Sequence, residues 1–78
     1  MARVRLFGPA ADAAGTPTAD VPGSTVEEVL AELLARYGVG FAAVLERSRV
    51  WLNGHDAEPD QFVGPDDEVA VLPPVSGG

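Results

Sequence analysis

The sequence predicts an α+β domain: a small mixed sheet with one main helix laid across one face. Three observations carry this expectation. A single amphipathic helix pattern begins at Val26 and runs to Tyr37, strand-like alternation stands on both sides of it, and the whole chain holds only 78 residues. A chain of that length supports one core and no second domain. It contains no cysteine, which excludes disulfides, thiolate metal sites and a cysteine nucleophile.

Each element has its own local reason. Arg3, Val4, Arg5, Leu6 and Phe7 alternate polar with apolar, the pattern of a half-buried strand. Gly8-Pro9 ends it, and residues 10–15 read as a loop. Residues 16–21 form a more polar strand, which Pro17 assigns to an edge or to a late start. Pro22-Gly23 is a turn signal.

Val26, Val29, Leu30, Leu33, Leu34 and Tyr37 then fall on one helical stripe. A capping box opens this helix, either Thr25 with Glu28 or Ser24 with Glu27. Glu32 and Arg36 stand at i, i+4 on the wet face, and Gly38 supplies the stop. Residues 41–45 suggest a short helical turn that adds to the core. Residues 49–52 are the third strand, Asn53-Gly54 is a hairpin turn, and residues 55–57 are a short return strand. Phe62 and Val63 are expected to plug the core from a loop. A turn at Gly64, Pro65, Asp66 and Asp67 leads into the last strand, residues 68–72.

The order β, β, α, β, short β, β is that of a β-grasp, ubiquitin-like roll. It sets the first and last strands side by side and parallel at the sheet centre. Alternation turns Val4, Leu6, Val50, Leu52, Val69 and Val71 toward the helix and leaves Phe7, Trp51, Ala70 and Leu72 on the other face. Apolar side chains clustered on an uncovered sheet mark a docking surface for partner proteins. Residues 1–72 make the domain. Residues 73–78 (Pro73, Pro74, Val75, Ser76, Gly77, Gly78) make a tail that projects from one end of the sheet.

That tail is the most informative part of the chain. A diproline restricts the shapes it can take. Two glycines then lead to a carboxylate with nothing bulky beside it, suited to threading into another protein's active site. Elsewhere the chemistry-bearing residues are sparse. His55 is a lone histidine beside Asp56, and Asp66, Asp67 and Glu68 lack the spaced ligands of a calcium loop. No Ser/His/Asp set, paired catalytic carboxylates or phosphate-binding glycine loop is present.

Twelve acidic residues against five arginines give a net charge of -7. That disfavours nucleic acid, keeps a small protein soluble, and suits a partner with a basic surface. There is no lysine, so the α-amine is the chain's only amine. No stretch approaches the ~20 apolar residues of a membrane span. The N-terminus lacks the layout of a signal peptide, and the expected location is cytoplasmic.

Phe7, Ala14-Gly15, Thr25-Val26, Asn53-Gly54, Asp67-Glu68-Val69 and the ending Leu72-Pro73-Pro74-Val75-Ser76-Gly77-Gly78 together resemble the MoaD/ThiS family of sulfur carriers. Within it the chain is most similar to the small subunit of molybdopterin synthase. The resemblance implies a carrier, not an enzyme on its own, whose Gly78 carboxylate is the reactive group, with Gly77 the other half of the motif. It implies three partners: a ubiquitin-activating-like adenylyltransferase that uses ATP, a sulfur donor (a sulfurtransferase or desulfurase), and the large subunit of molybdopterin synthase. No cofactor is bound; sulfur is carried covalently as a C-terminal thiocarboxylate. The expected partner-binding residues are Phe7, Trp51, Leu72, Pro73, Pro74 and Val75. Carriers for thiamine thiazole or cysteine synthesis, a ubiquitin-like protein modifier, and a binding module with an inert tail are the alternatives.

Overall fold

The computed structural model of the chain describes residues 1–74. Five strands form one mixed sheet in the order β2-β1-β5-β3-β4. β1 (Ala2–Leu6) and β5 (Glu68–Leu72) lie parallel at its centre, with Val4 opposite Val69 and Leu6 opposite Val71. β2 (Thr18–Val21) pairs antiparallel on one side of β1. β3 (Arg49–Leu52) pairs antiparallel with β5, and the two-residue β4 (His55–Asp56) closes the far edge. The first and last strands thus take the parallel central places expected from the element order.

The main helix α2 (Val26–Glu46) opens on Thr25, whose side-chain oxygen accepts from the Glu28 N–H at 3.2 Å. The Glu28 carboxylate reaches back to the Ser24 N–H at 2.8 Å. Of the two possible caps, the Thr25–Glu28 pair is the one formed. The helix breaks at Gly38, where φ 81 and ψ -160 are non-helical, a conformation that favours glycine. Gly38 therefore ends the first helical segment as expected, and the residues after it resume as a second one. That second segment is longer than the single turn foreseen for residues 41–45, and it brings Phe41 fully into the core. Phe41 packs against Tyr37 with ring centroids 5.5 Å apart.

The core lies between α2 and the inner sheet face: Val4, Leu6, Val69 and Val71 from the sheet meet Val26, Val29, Leu33 and Phe41 from the helix. Complete burial of a side chain of this size is worth about 1.5–3 kcal/mol, so these contacts hold the helix to the sheet.

Four expectations are corrected. Residues 10–15 are not a loop: Pro9–Ala14 form a helix, α1, with Pro9 at its start and Gly15 as a left-handed C-cap. Its Ala10 is buried against the core. Phe62 does not join Val63 inside. An isolated bridge to Thr25 holds this segment extended, so neighbouring side chains point opposite ways, and Val63 is buried while Phe62 is 83% exposed. Leu34 lies at the outer margin of the helical stripe and is exposed. Arg36 does not pair with Glu32; its guanidinium donates to the Asp20 carbonyl at 3.2 Å, tying α2 to β2. The second strand starts at Thr18, after Pro17.

Candidate functional site

Because β1 and β5 are parallel and β3 runs against them, one end of the sheet gathers the end of β1, the end of β5 and the start of β3. Phe7, Leu72 and Arg49 stand at this end, and the chain leaves β5 here through Pro73 and Pro74. The exit is anchored: the Phe7 N–H donates to the Val71 carbonyl at 3.0 Å. A methyl group built on Gly8 would stand 3.7 Å from Pro73 Cγ, so the first proline ring lies within a methyl's reach of the main chain at Gly8.

The outer face of the sheet is uncovered by helix. The register places Trp51 and Arg5 on either side of Ala70, and Arg49 opposite Leu72. Ala70 is almost fully buried by these larger neighbours, Trp51 and Leu72 are half-buried, and Phe7 is 40% exposed. The Arg5 guanidinium lies 5.8 Å from the centre of the Phe7 ring, a cation–π contact. Phe7, Trp51 and Leu72 therefore share one surface with Ala70 at its centre, as alternation foresaw.

Its electrostatics were not foreseen. Arg3, Arg5 and Arg49 point outward here beside Asp20, Asp56 and Glu68, and Arg49 lies 3.8 Å from Asp56. The face is charge-balanced, so the net charge of -7 resides on the rest of the molecule. Charge alone cannot reveal this; it needs the register.

On the helix side of the tail root lies a groove of about 360 Å³, lined by Pro9, Ala43, Val44, Arg47, Pro73 and Pro74. Pro73 and Pro74, expected as tail residues, line this groove at the surface of the body. Val75, Gly77 and Gly78 lie outside the described residues. Among the described residues, no three His, Asp or Glu side chains are placed to hold one metal ion. No helix among them is long and apolar enough to cross a membrane. His55 is an exposed strand residue.

A single five-stranded β-grasp domain with one main helix defines the class, a ubiquitin-like protein. The profile of the ThiS family matches residues 4–78, and the chain belongs to that family of ubiquitin-like sulfur carriers. Among solved structures it is similar to SAMP1 from Haloferax volcanii, with 31% identity, a TM-score of 0.79, and coverage of 99% of this chain and 98% of that one. The small archaeal modifier protein 1 from Methanosarcina acetivorans is 28% identical at a TM-score of 0.85, covering 99% and 95%. The structure of subunits 1 and 2 of the molybdopterin-converting factor from Helicobacter pylori includes a chain of the same fold, with 24% identity, a TM-score of 0.72 and coverage of 99% and 97%. A search of the curated proteins returns no match.

Proposed function

We propose that this protein is a sulfur carrier for molybdopterin synthesis, the small subunit of a molybdopterin synthase. The family match through Gly78 supports the carrier, on a chain whose exit from β5 is anchored beside the uncovered face of Phe7, Trp51 and Leu72. The ending Pro73-Pro74-Val75-Ser76-Gly77-Gly78 favours molybdopterin among the carrier pathways. In this reading the Gly78 carboxylate attacks the α-phosphorus of ATP and pyrophosphate leaves. The resulting acyl adenylate overcomes the poor leaving group of a carboxylate. The outer sulfur of a persulfide on the donor protein then displaces AMP to give an acyl disulfide. A second thiol attacks the donor's sulfur and breaks the S–S bond, so that the terminus leaves as a thiocarboxylate and the donor is left as a disulfide. The carrier itself supplies no catalytic side chain. It contributes a narrow tail, and the face bearing Phe7, Trp51 and Leu72 docks first on the adenylyltransferase and later on the large subunit.

The deciding experiment is intact mass spectrometry after incubation with the activating enzyme, ATP and a sulfur source. A mass change equal to one oxygen replaced by sulfur at Gly78 supports the carrier. An adenylate that never gains sulfur counts against it.

A second reading has its own support. The 31% identity to SAMP1 and the 28% identity to a small archaeal modifier protein 1 favour a protein modifier, joined through Gly78 to lysines of other proteins. Having no lysine, the chain cannot build side-chain-linked polymers of itself. High-mass conjugates in cells expressing a tagged form would favour this reading, and free protein alone would favour the carrier.

A further inference from the structure

We infer that the groove at the tail root is a grip for a partner protein that presents an apolar side chain with a carboxylate beside it. The inference rests on the reading of the chain beyond Pro74 as a tail handed to a partner. The groove's walls are apolar and firmly built. Pro73 lies a methyl's reach from Gly8, Pro9 starts α1, and Ala43 and Val44 belong to the last turns of α2. The end of α2 is closed by three hydrogen bonds: the Arg47 N–H and the Ser48 hydroxyl donate to the Val44 carbonyl at 3.0 and 2.7 Å, and the Ser48 N–H donates to the Leu45 carbonyl at 3.0 Å. The Ser48 hydroxyl is thus already engaged, which leaves the Arg47 guanidinium as the charged group of the site. Among the described residues Arg47 makes no ion pair.

The charge distribution selects the occupant. The other arginines are placed elsewhere: Arg3, Arg5 and Arg49 on the open face, and Arg36 against β2. In a chain of net charge -7, this groove is an apolar seat beside a cation. A second copy of the chain would bring its own excess of negative charge against the first, so the geometry points to a different protein. A volume of about 360 Å³ has room for an apolar side chain together with the adjoining carboxylate-bearing residue. Because Pro73 and Pro74 form part of the wall, a partner seated here holds the base of the tail and sets the direction in which it leaves. The groove lies on the helix side and Trp51 on the open face, so the two surfaces grip the root from opposite sides.

The test is a titration of the full-length ¹⁵N-labelled protein with N-acetyl-leucyl-aspartyl amide and, separately, with its leucyl-lysyl counterpart. Saturating shifts are expected at the amides of Ala43, Val44, Arg47 and Ser48. The aspartyl probe should bind roughly threefold more tightly, the scale of one exposed charge pair. Arg47→Glu should reverse the preference, and Ala43→Arg, at an exposed helix position, should remove binding of both. Absence of shifts at those amides, or a preference that Arg47→Glu leaves unmoved, overturns the proposal. A Gly78 amide shift on Ala43→Arg without any probe overturns it as well, because the occupant is then the chain's own tail. Adenylation kinetics separate this idea from the function it rests on. Ala43→Arg should raise KM for the carrier roughly tenfold, through loss of an apolar contact. A normal KM for that variant sinks the grip alone. Failure of the wild-type protein to be adenylated sinks the tail chemistry, while the titration still decides the groove.

Discussion

The side chains of Asn53 and Asp67 meet across fourteen residues of sequence, the Asn53 amide donating to Asp67 Oδ1 at 3.0 Å. The other Asp67 oxygen accepts from the Gly64 N–H at 2.7 Å, and Asn53 Oδ1 accepts from the Glu68 N–H at 2.9 Å. The hairpin turn after β3 is thereby tied to the start of β5, the strand that leads to Pro73 and Pro74. Asn53 is the one non-glycine residue with positive φ among those described, as a two-residue hairpin turn requires.

Acid should loosen this tie. The Gly64 N–H, and after it the Asn53 amide, hold the Asp67 carboxyl below its ordinary value of 3.8. A depressed folded-state value means stabilisation that is complete above the unfolded value and lost as pH falls through the folded one. Asp67→Asn should therefore be less stable than wild type at neutral pH. The gap in urea midpoint should close below pH 3.8. A gap that stays constant down to about pH 2 would show that the carboxylate's charge is irrelevant.

Phe41 holds the second segment of α2 on the sheet and is completely buried. Phe41→Ala should cost about 3–5 kcal/mol, a large share of the roughly 4–12 kcal/mol expected for a domain of this size. Chemical denaturation would measure it. A loss under about 1 kcal/mol would mean that the segment contributes little to the fold.

Gly38→Ala isolates backbone strain. An added methyl group meets nothing within 4 Å, yet φ is 81. The expected cost is about 1–3 kcal/mol, read as a lower melting temperature. An unchanged or higher melting temperature would show that α2 can run straight through this position.

Trp51→Ala should leave the fold intact by circular dichroism and weaken binding to the adenylyltransferase roughly tenfold or more, as central aromatic residues of interfaces do. Calorimetric titration decides this. A folded variant that binds with wild-type affinity would remove Trp51 from the docking surface.

At the tail, Gly78→Ala should impair activation at the carboxylate and Gly77→Ala should impair threading, because each adds a side chain where the main chain must approach closely. Pyrophosphate exchange reports both. Wild-type rates in the two variants would refute a narrow-channel requirement.

The sequence by itself determined the parts of this protein that depend on local pattern and chemical ending. The helical stripe from Val26, a capping box at Ser24 or Thr25, the Gly38 stop, the Asn53-Gly54 turn and the alternation in β1, β3 and β5 are short-range signals, and the element order built from them led to the β-grasp sheet. The structure chose Thr25 as the cap. Of the candidate site, alternation put Phe7, Trp51 and Leu72 on one face, while Gly77 and Gly78, on which the proposed chemistry rests, lie outside the described residues. The six-residue α1 escaped notice because it is too short to show a period. Its proline start, alanine-rich body and glycine end were nonetheless present in the sequence. Phe62 was misplaced because hydrophobicity does not say which of two adjacent residues points inward; the bridge to Thr25 decides that. The charge balance of the open face and the groove at the tail root were decided by tertiary structure alone. Both depend on residues far apart in the chain, Arg3 with Glu68 and Pro9 with Arg47 and Pro74, which only strand register and helix packing bring together.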